Sequence, residues 1–277
     1  VPSERRIIQP REIPMTDSLS QFAADILSGR IQIIDLTQTL SPEMPTIVLP
    51  PEVGQCAPFR LEEISRYDGR GPAWYWNNFT CGEHTGTHFD APIHWVSGRD
   101  LPNNAVDTIA VSNFIAPAVV IDCSGEAAAD EDFTLTVEFL QAWEARHGRI
   151  PNRCWAFMRT DWSKRDPVAY ANLRSDGAHN PGPAPEAVKW LVEERDVHGF
   201  GTETIGTDSG QAAHFTPPYP AHFYMHGKGR YGLQCLTNLH LLPPTGTIII
   251  SAPLKIRDGS GSPLRVLALV SSAHAKF

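Results

Sequence analysis

The eleven residues His84-Thr85-Gly86-Thr87-His88-Phe89-Asp90-Ala91-Pro92-Ile93-His94 hold three of the eleven histidines in a chain of 277 residues, with an aspartate among them. His84 and His88 stand four apart, a spacing that lets two imidazoles face one point on a turn or short helix. Asp90 adds a carboxylate two residues on. Two imidazoles and a carboxylate suit a divalent transition metal that keeps open positions for water and substrate. Gly86 lets the backbone fold tightly, and Pro92 prevents continuation as regular helix. His94 lies beyond that proline, where an imidazole not bound to the metal is a ready general base or acid. A His-Glu-x-x-His zinc helix is excluded, because Thr85 stands where its glutamate belongs.

Working outward, residues 74–80 read as a strand delivering the chain to this cluster. Trp74 and Trp76, two apart on that strand, point to the same side and are candidates for an aromatic wall against a planar substrate. Core packing is the competing reading for both, and Phe59 and Trp95 are further candidates. Residues 41–60 are a proline-rich loop, 31–36 a strand, and 17–29 an amphipathic helix with Leu19, Phe22, Ala23, Ile26 and Leu27 on one face and Gly29 at its end. Downstream the pattern alternates: strand 119–122, helix 136–147 stopped by Gly148, strand 154–159, helix 185–196 opened by Pro185, and a strand end at 205–208. Two long β segments, 247–256 and 264–271, close the chain around a turn at 258–261. With no repeat and no low-complexity linker, this predicts one α/β domain over residues 31–277, preceded by an N-terminal arm and helix over 1–30.

Composition narrows the function. A hydrophobic share of 42% excludes a disordered chain, and no apolar run approaches the roughly 18 residues of a membrane helix. The formal charge of −8 argues against nucleic acid, which calls for a basic stripe. Five scattered cysteines without a Cys-x-x-Cys pair offer neither a disulfide framework nor a thiolate zinc site, and point to a reducing cytoplasm. Two patterns match familiar motifs only by letter. Residues 227–232 (Gly-Lys-Gly-Arg-Tyr-Gly) lack the preceding strand and later acid of a dinucleotide site. Thr207-Asp208-Ser209-Gly210 lacks the architecture that surrounds a serine nucleophile.

The motif at 84–94 resembles the His-x-Gly-Thr-His-x-Asp-x-Pro-x-His signature of the cyclase family, which includes bacterial kynurenine formamidases and isatin hydrolases. The likeness extends through 159–165, Pro181-Gly182, 205–208 and 252–256, covering most of the chain from about residue 31. It implies a single-domain β/β/α swivelling-type fold, a homodimer or homotetramer, and amide hydrolysis by metal-activated water. By the same resemblance His84, His88 and Asp90 are metal ligands and His94 is the catalytic histidine. A later histidine and an acidic ligand twelve residues apart correspond here to His222 and Gln234, with His226 one turn away as the alternative to His222. Glutamine replaces a glutamate that bridges two zinc ions in the formamidases, and this is similar to the isatin hydrolase branch. The departure implies one ion, with Mn2+ favoured over Zn2+, His222 as a second catalytic histidine and Gln234 as a ligand. The expected reaction is ring opening of a cyclic aromatic amide, isatin to isatinate. Hydrolysis of N-formylkynurenine and a non-catalytic metal-binding protein that retains the fold are the alternatives.

Overall fold

A computed structural model of the chain describes residues 17–274. The arm expected over residues 1–30 therefore lies outside the described residues up to residue 16. Helix α1 (Ser18–Leu27) is capped by Asp17, whose Oδ1 accepts the Leu19 and Ser20 N–H groups, and it ends before Gly29 at a φ of 74°.

Nine strands form one mixed sheet: β1 (Ile31–Asp35), β4 (His88–Asp90), β5 (Ile115–Asp122), β6 (Trp155–Arg159), β7 (Gly199–Thr202), β8 (Tyr231–Gln234), β9 (Thr247–Ile250), β10 (Gly261–Pro263) and β11 (Leu267–Ser271). Their spatial order is β1-β11-β9-β5-β6-β7-β8-β4-β10. The central four, β5 to β8, run parallel, and antiparallel strands extend the sheet on both sides. The two remaining longer strands, β2 (Arg60–Asp68) and β3 (Gly71–Thr80), pair only with each other as a separate hairpin.

Alternation in the parallel strands serves two cores. Ala116, Ala118 and Val120 of β5 and Trp155 and Phe157 of β6 face one cluster, whereas Val119, Ile121, Ala156 and Met158 face the other. Strands buried on both faces read as near-continuous apolar runs, and these do. Helices α2 (Val137–His147) and α3 (Pro185–Glu193) cover the second cluster. Leu140 and Trp143 are buried from α2, and Ala187, Val188, Leu191 and Val192 form the inward stripe of α3. On the first face the sheet curls around Leu36, Phe89, Trp155, Phe157 and Leu233. The edge strand β1 reaches an inner strand of the far side: Thr37, just past β1, bridges Leu236, just past β8.

The expected α/β fold is what forms, with two differences in detail. Residues 205–208 are not a strand; β7 stops at Thr202 and the chain turns into a bent loop. The expected β segment 247–256 ends at Ile250, where Ser251 N–H bonds Phe114 O and the chain leaves the sheet ahead of Pro253. A short extra strand, β10, then pairs with β4 and encloses the histidine segment.

Candidate active site

Strand β4 carries His88 and Asp90 on one side and Phe89 on the other, where it packs on Tyr231 and Trp155. Gly86, at a φ of 66°, makes the turn that brings His84 back over them. The register sets Gly232 opposite Asp90 and Gln234 opposite His88. A π-helical turn, His222–His226, places both of its histidines in the interior, because its wider winding puts residues four apart on one side. Sequence reasoning treated these two as alternatives; the structure brings both in. The 3-10 turn Pro92–His94 supplies His94, whose ring lies 3.9 Å from that of His84, 5.5 Å from His222 and 6.0 Å from His226.

The donor atoms of His84, His88 and Asp90 lie within 4.8 Å of one another, as do those of Asp90, His222 and His226. His84 Nδ1 is 2.8 Å from Asp90 Oδ1, and its Nε2 bonds Ser260 Oγ at 2.9 Å. Ser260 in turn donates to Glu83. His88 donates Nδ1–H to Gly86 O at 2.7 Å, which leaves Nε2 as a bare lone pair. That atom is buried without a hydrogen-bond partner, 3.2 Å from Asp90 Oδ1. A nitrogen lone pair facing a carboxylate oxygen repels it unless a positive charge, a proton or a metal ion, stands between them, and the donor set fits a metal ion.

Electrostatics agree with that division. Burial opposes ionisation of Asp90, but His88 and His84 beside it hold its carboxyl well below the usual range. Burial, helped by the neighbouring imidazoles, pushes His94 down to about 2, and burial pushes His226 down to about 4. Burial also works against charge on His222, yet Asp208 at its Nδ1 outweighs it and the pKa is raised.

Two expectations are modified. Gln234 reaches the site, but its Oε1 accepts Gly206 N–H at 2.9 Å, and its Nε2 donates to Asp90 Oδ2 at 2.5 Å. The carboxamide thus turns its nitrogen, not its oxygen, toward the carboxylate. Trp74 and Trp76 lie on the β2–β3 hairpin, about half exposed, and neither ring packs against the site histidines. The tryptophan that does is Trp95, with its ring 4.8 Å from His222, 6.1 Å from His94 and 5.5 Å from Tyr219. Asp208, which holds His222, stands in the sequence within a stretch that matches a serine-nucleophile motif only by letter. Its only local signal was an acid in a segment already shared with the cyclase family.

The family model described as "Putative cyclase" matches residues 34–209. Isatin hydrolase from Roseibium aggregatum is 48% identical over 259 residues, covering 92% of this chain and 98% of that protein. Among solved structures, isatin hydrolase A from Labrenzia aggregata bound to benzyl benzoate superposes with a TM-score of 0.92 at 60% identity, covering 92% of this chain and all of the other. An isatin hydrolase bound to the product analogue thioisatinate gives 0.90 at 46% identity, covering 92% and 98%. A match over more than half of the sequence, with the motif histidines and aspartate gathered at one buried point, places this chain in the cyclase family.

Proposed function

We propose that this protein hydrolyses isatin to isatinate, opening the lactam C–N bond with one divalent metal ion bound. The observation that carries the reading is the buried, partnerless Nε2 of His88 against Asp90, in a chain nearly half identical to an isatin hydrolase over almost its whole length. His84, His88 and Asp90 would hold the ion. Gln234 completes the set through oxygen only if its carboxamide turns over and gives up Gly206 N–H; as it stands, it orients Asp90. When bound, the ion supplies Lewis acidity, polarising a carbonyl and lowering the pKa of a water ligand toward about 7.

The remaining work falls to the chain. His94, uncharged at neutral pH, accepts the proton of the attacking water and returns it to the lactam nitrogen as the C–N bond breaks. His222 presents Nε2 to the same space and, as an acceptor, orients the attacking water. Trp95, between His222 and Tyr219, supplies the flat apolar wall first sought at Trp74 and Trp76. A neutral Gln234 in place of a bridging carboxylate favours one ion, and the resemblance to the isatin hydrolase branch favours Mn2+, with Zn2+ the alternative. Five unpaired cysteines support a reducing cytoplasm. Among the described residues no helix is long and apolar enough to cross a membrane. We further propose that residues 31–277 form the hydrolase domain and 1–30 an arm, in a homodimer or homotetramer. Rates on isatin and N-formylkynurenine with metal restored test the substrate: isatin should be opened faster, and preference for the formamide would overturn the reading.

A further inference from the structure

Asp208 sits in the bent loop after β7, 4% exposed, and no lysine or arginine forms an ion pair with it among the described residues. Three donors converge on its carboxylate. Oδ1 accepts Ala221 N–H at 2.6 Å, and Oδ2 accepts His222 N–H at 3.2 Å and faces His222 Nδ1 at 2.5 Å. The first two are N–H groups at the start of the π-helical turn, which have no partner within it. With both oxygens engaged from different directions, the carboxylate cannot rotate. Asn180 donates to the Asp208 carbonyl at 3.2 Å and fixes the backbone as well.

A carboxylate cannot donate, so the hydrogen between these groups belongs to His222 Nδ1. Thr207 Oγ1, the other group near Nδ1, is 3.4 Å away and does not compete. The opposite face of the ring is constrained independently. Gly206 N–H holds Gln234 Oε1, so the Gln234 amide turns its N–H groups toward Asp90 Oδ2 and, at 3.5 Å, toward His222 Nε2. Every donor and acceptor from Gly206 through Gln234 and His222 to Asp208 thus points one way.

We infer that Asp208 is a positioning residue: it locks neutral His222 in the Nδ1–H tautomer, making Nε2 the nitrogen that accepts a hydrogen bond from the attacking water. This rests on the placement of His222 at the reacting centre. It explains how an imidazole crowded by His94, His226 and Gln234 keeps one lone pair aimed inward.

Asp208→Asn tests it. Ala221 N–H lies 2.6 Å from Oδ1 and His222 N–H a longer 3.2 Å from Oδ2, so the asparagine oxygen keeps the shorter bond and its NH2 meets the weaker contact. Its NH2 then faces His222 Nδ1 and reverses the tautomer. Long-range 1H–15N spectra of the 15N-histidine-labelled full chain, metal-free and zinc-loaded, are read at a pH where the ring is neutral. The His222 resonances are those missing from His222→Gln. The expected result is protonated Nδ1 and bare Nε2 in the wild type, and the reverse in Asp208→Asn. In the variant kcat for isatin should fall by about 100-fold or more with little change in KM. A wild-type Nε2–H tautomer overturns the inference, as does an Asp208→Asn variant with unchanged tautomer and kcat. If the variant fails to fold, the wild-type spectrum alone decides. Failure of the wild type to open isatin would instead remove the substrate assignment and leave the tautomer result standing.

Discussion

Gly232 faces Asp90 across the β8–β4 pair with no side chain between them; a Cβ at 232 would lie 2.7 Å from Asp90 Oδ2. The carboxylate central to the site occupies the space that a missing side chain leaves. Gly232→Ala should therefore displace Asp90 rather than merely crowd it. The expected outcome is a loss of about 1–3 kcal/mol in stability from overpacking, together with weaker metal retention. Denaturant unfolding and elemental analysis of the dialysed variant check both, and full metal retention would show that Asp90 tolerates the shift.

His94 and the three motif donors are expected to separate by phenotype. His88→Ala or Asp90→Ala should lose metal and activity together. His94→Ala should keep its metal and lose turnover by about 10²–10⁴-fold, the usual contribution of a positioned acid–base group. Wild-type turnover in His94→Ala would remove His94 from proton transfer.

Gln234→Glu keeps an acceptor for Gly206 N–H but replaces the donor facing Asp90 with a second carboxylate. Two buried carboxylates at that distance repel, and a second cation relieves them. The metal count per chain should rise from one toward two, with His222 and His226 near Asp90 as additional donors. A count that stays at one contradicts the argument that a neutral residue at 234 limits the site to a single ion.

Away from the site, His179 Nδ1 lies 2.7 Å from Asp132 Oδ2 and Nε2 lies 3.1 Å from Asp176 Oδ1, so only the charged ring donates to both. The Asp132 bond, then the Asp176 bond, raises its pKa above the ordinary histidine value. A raised folded pKa gives stabilisation that is complete below the unfolded value, about 6.5, and fades as pH climbs through the folded one. The Tm advantage of wild type over His179→Gln should shrink as pH rises above about 6.5. An advantage that stays constant as the pH is raised would show that the ring acts by packing alone.

What could be read beforehand follows how local each feature is. His84, His88, Asp90 and His94 lie within eleven residues, and turn chemistry at Gly86 and Pro92 already implies their convergence. Of the four parallel strands, β5 and β6 are legible because burial on both faces leaves continuous apolar runs, whereas the glycines of β7 (Gly199, Gly201) and β8 (Gly232) break that pattern. Asp208 was not legible, since its partners Ala221 and His222 are thirteen and fourteen residues away and only the folded loop joins them. Trp74 and Trp76 were correctly read as a strand, but period-2 alternation cannot tell a strand of the main sheet from one in a separate hairpin. The orientation of Gln234 depends on a single backbone N–H, at Gly206, which no pattern of residue types reveals.

On the function proposed above, the buried cluster of His84, His88 and Asp90 holds a metal that this chain needs to open isatin. The most direct measurement follows isatin ring opening by one purified sample as isolated, after chelation, and after divalent metal is restored, with metal content measured at each stage. The expected result is about one ion per chain, hydrolysis lost with it, and hydrolysis regained on its return. Undiminished turnover in the metal-free sample, or none once the metal is back, would contradict it.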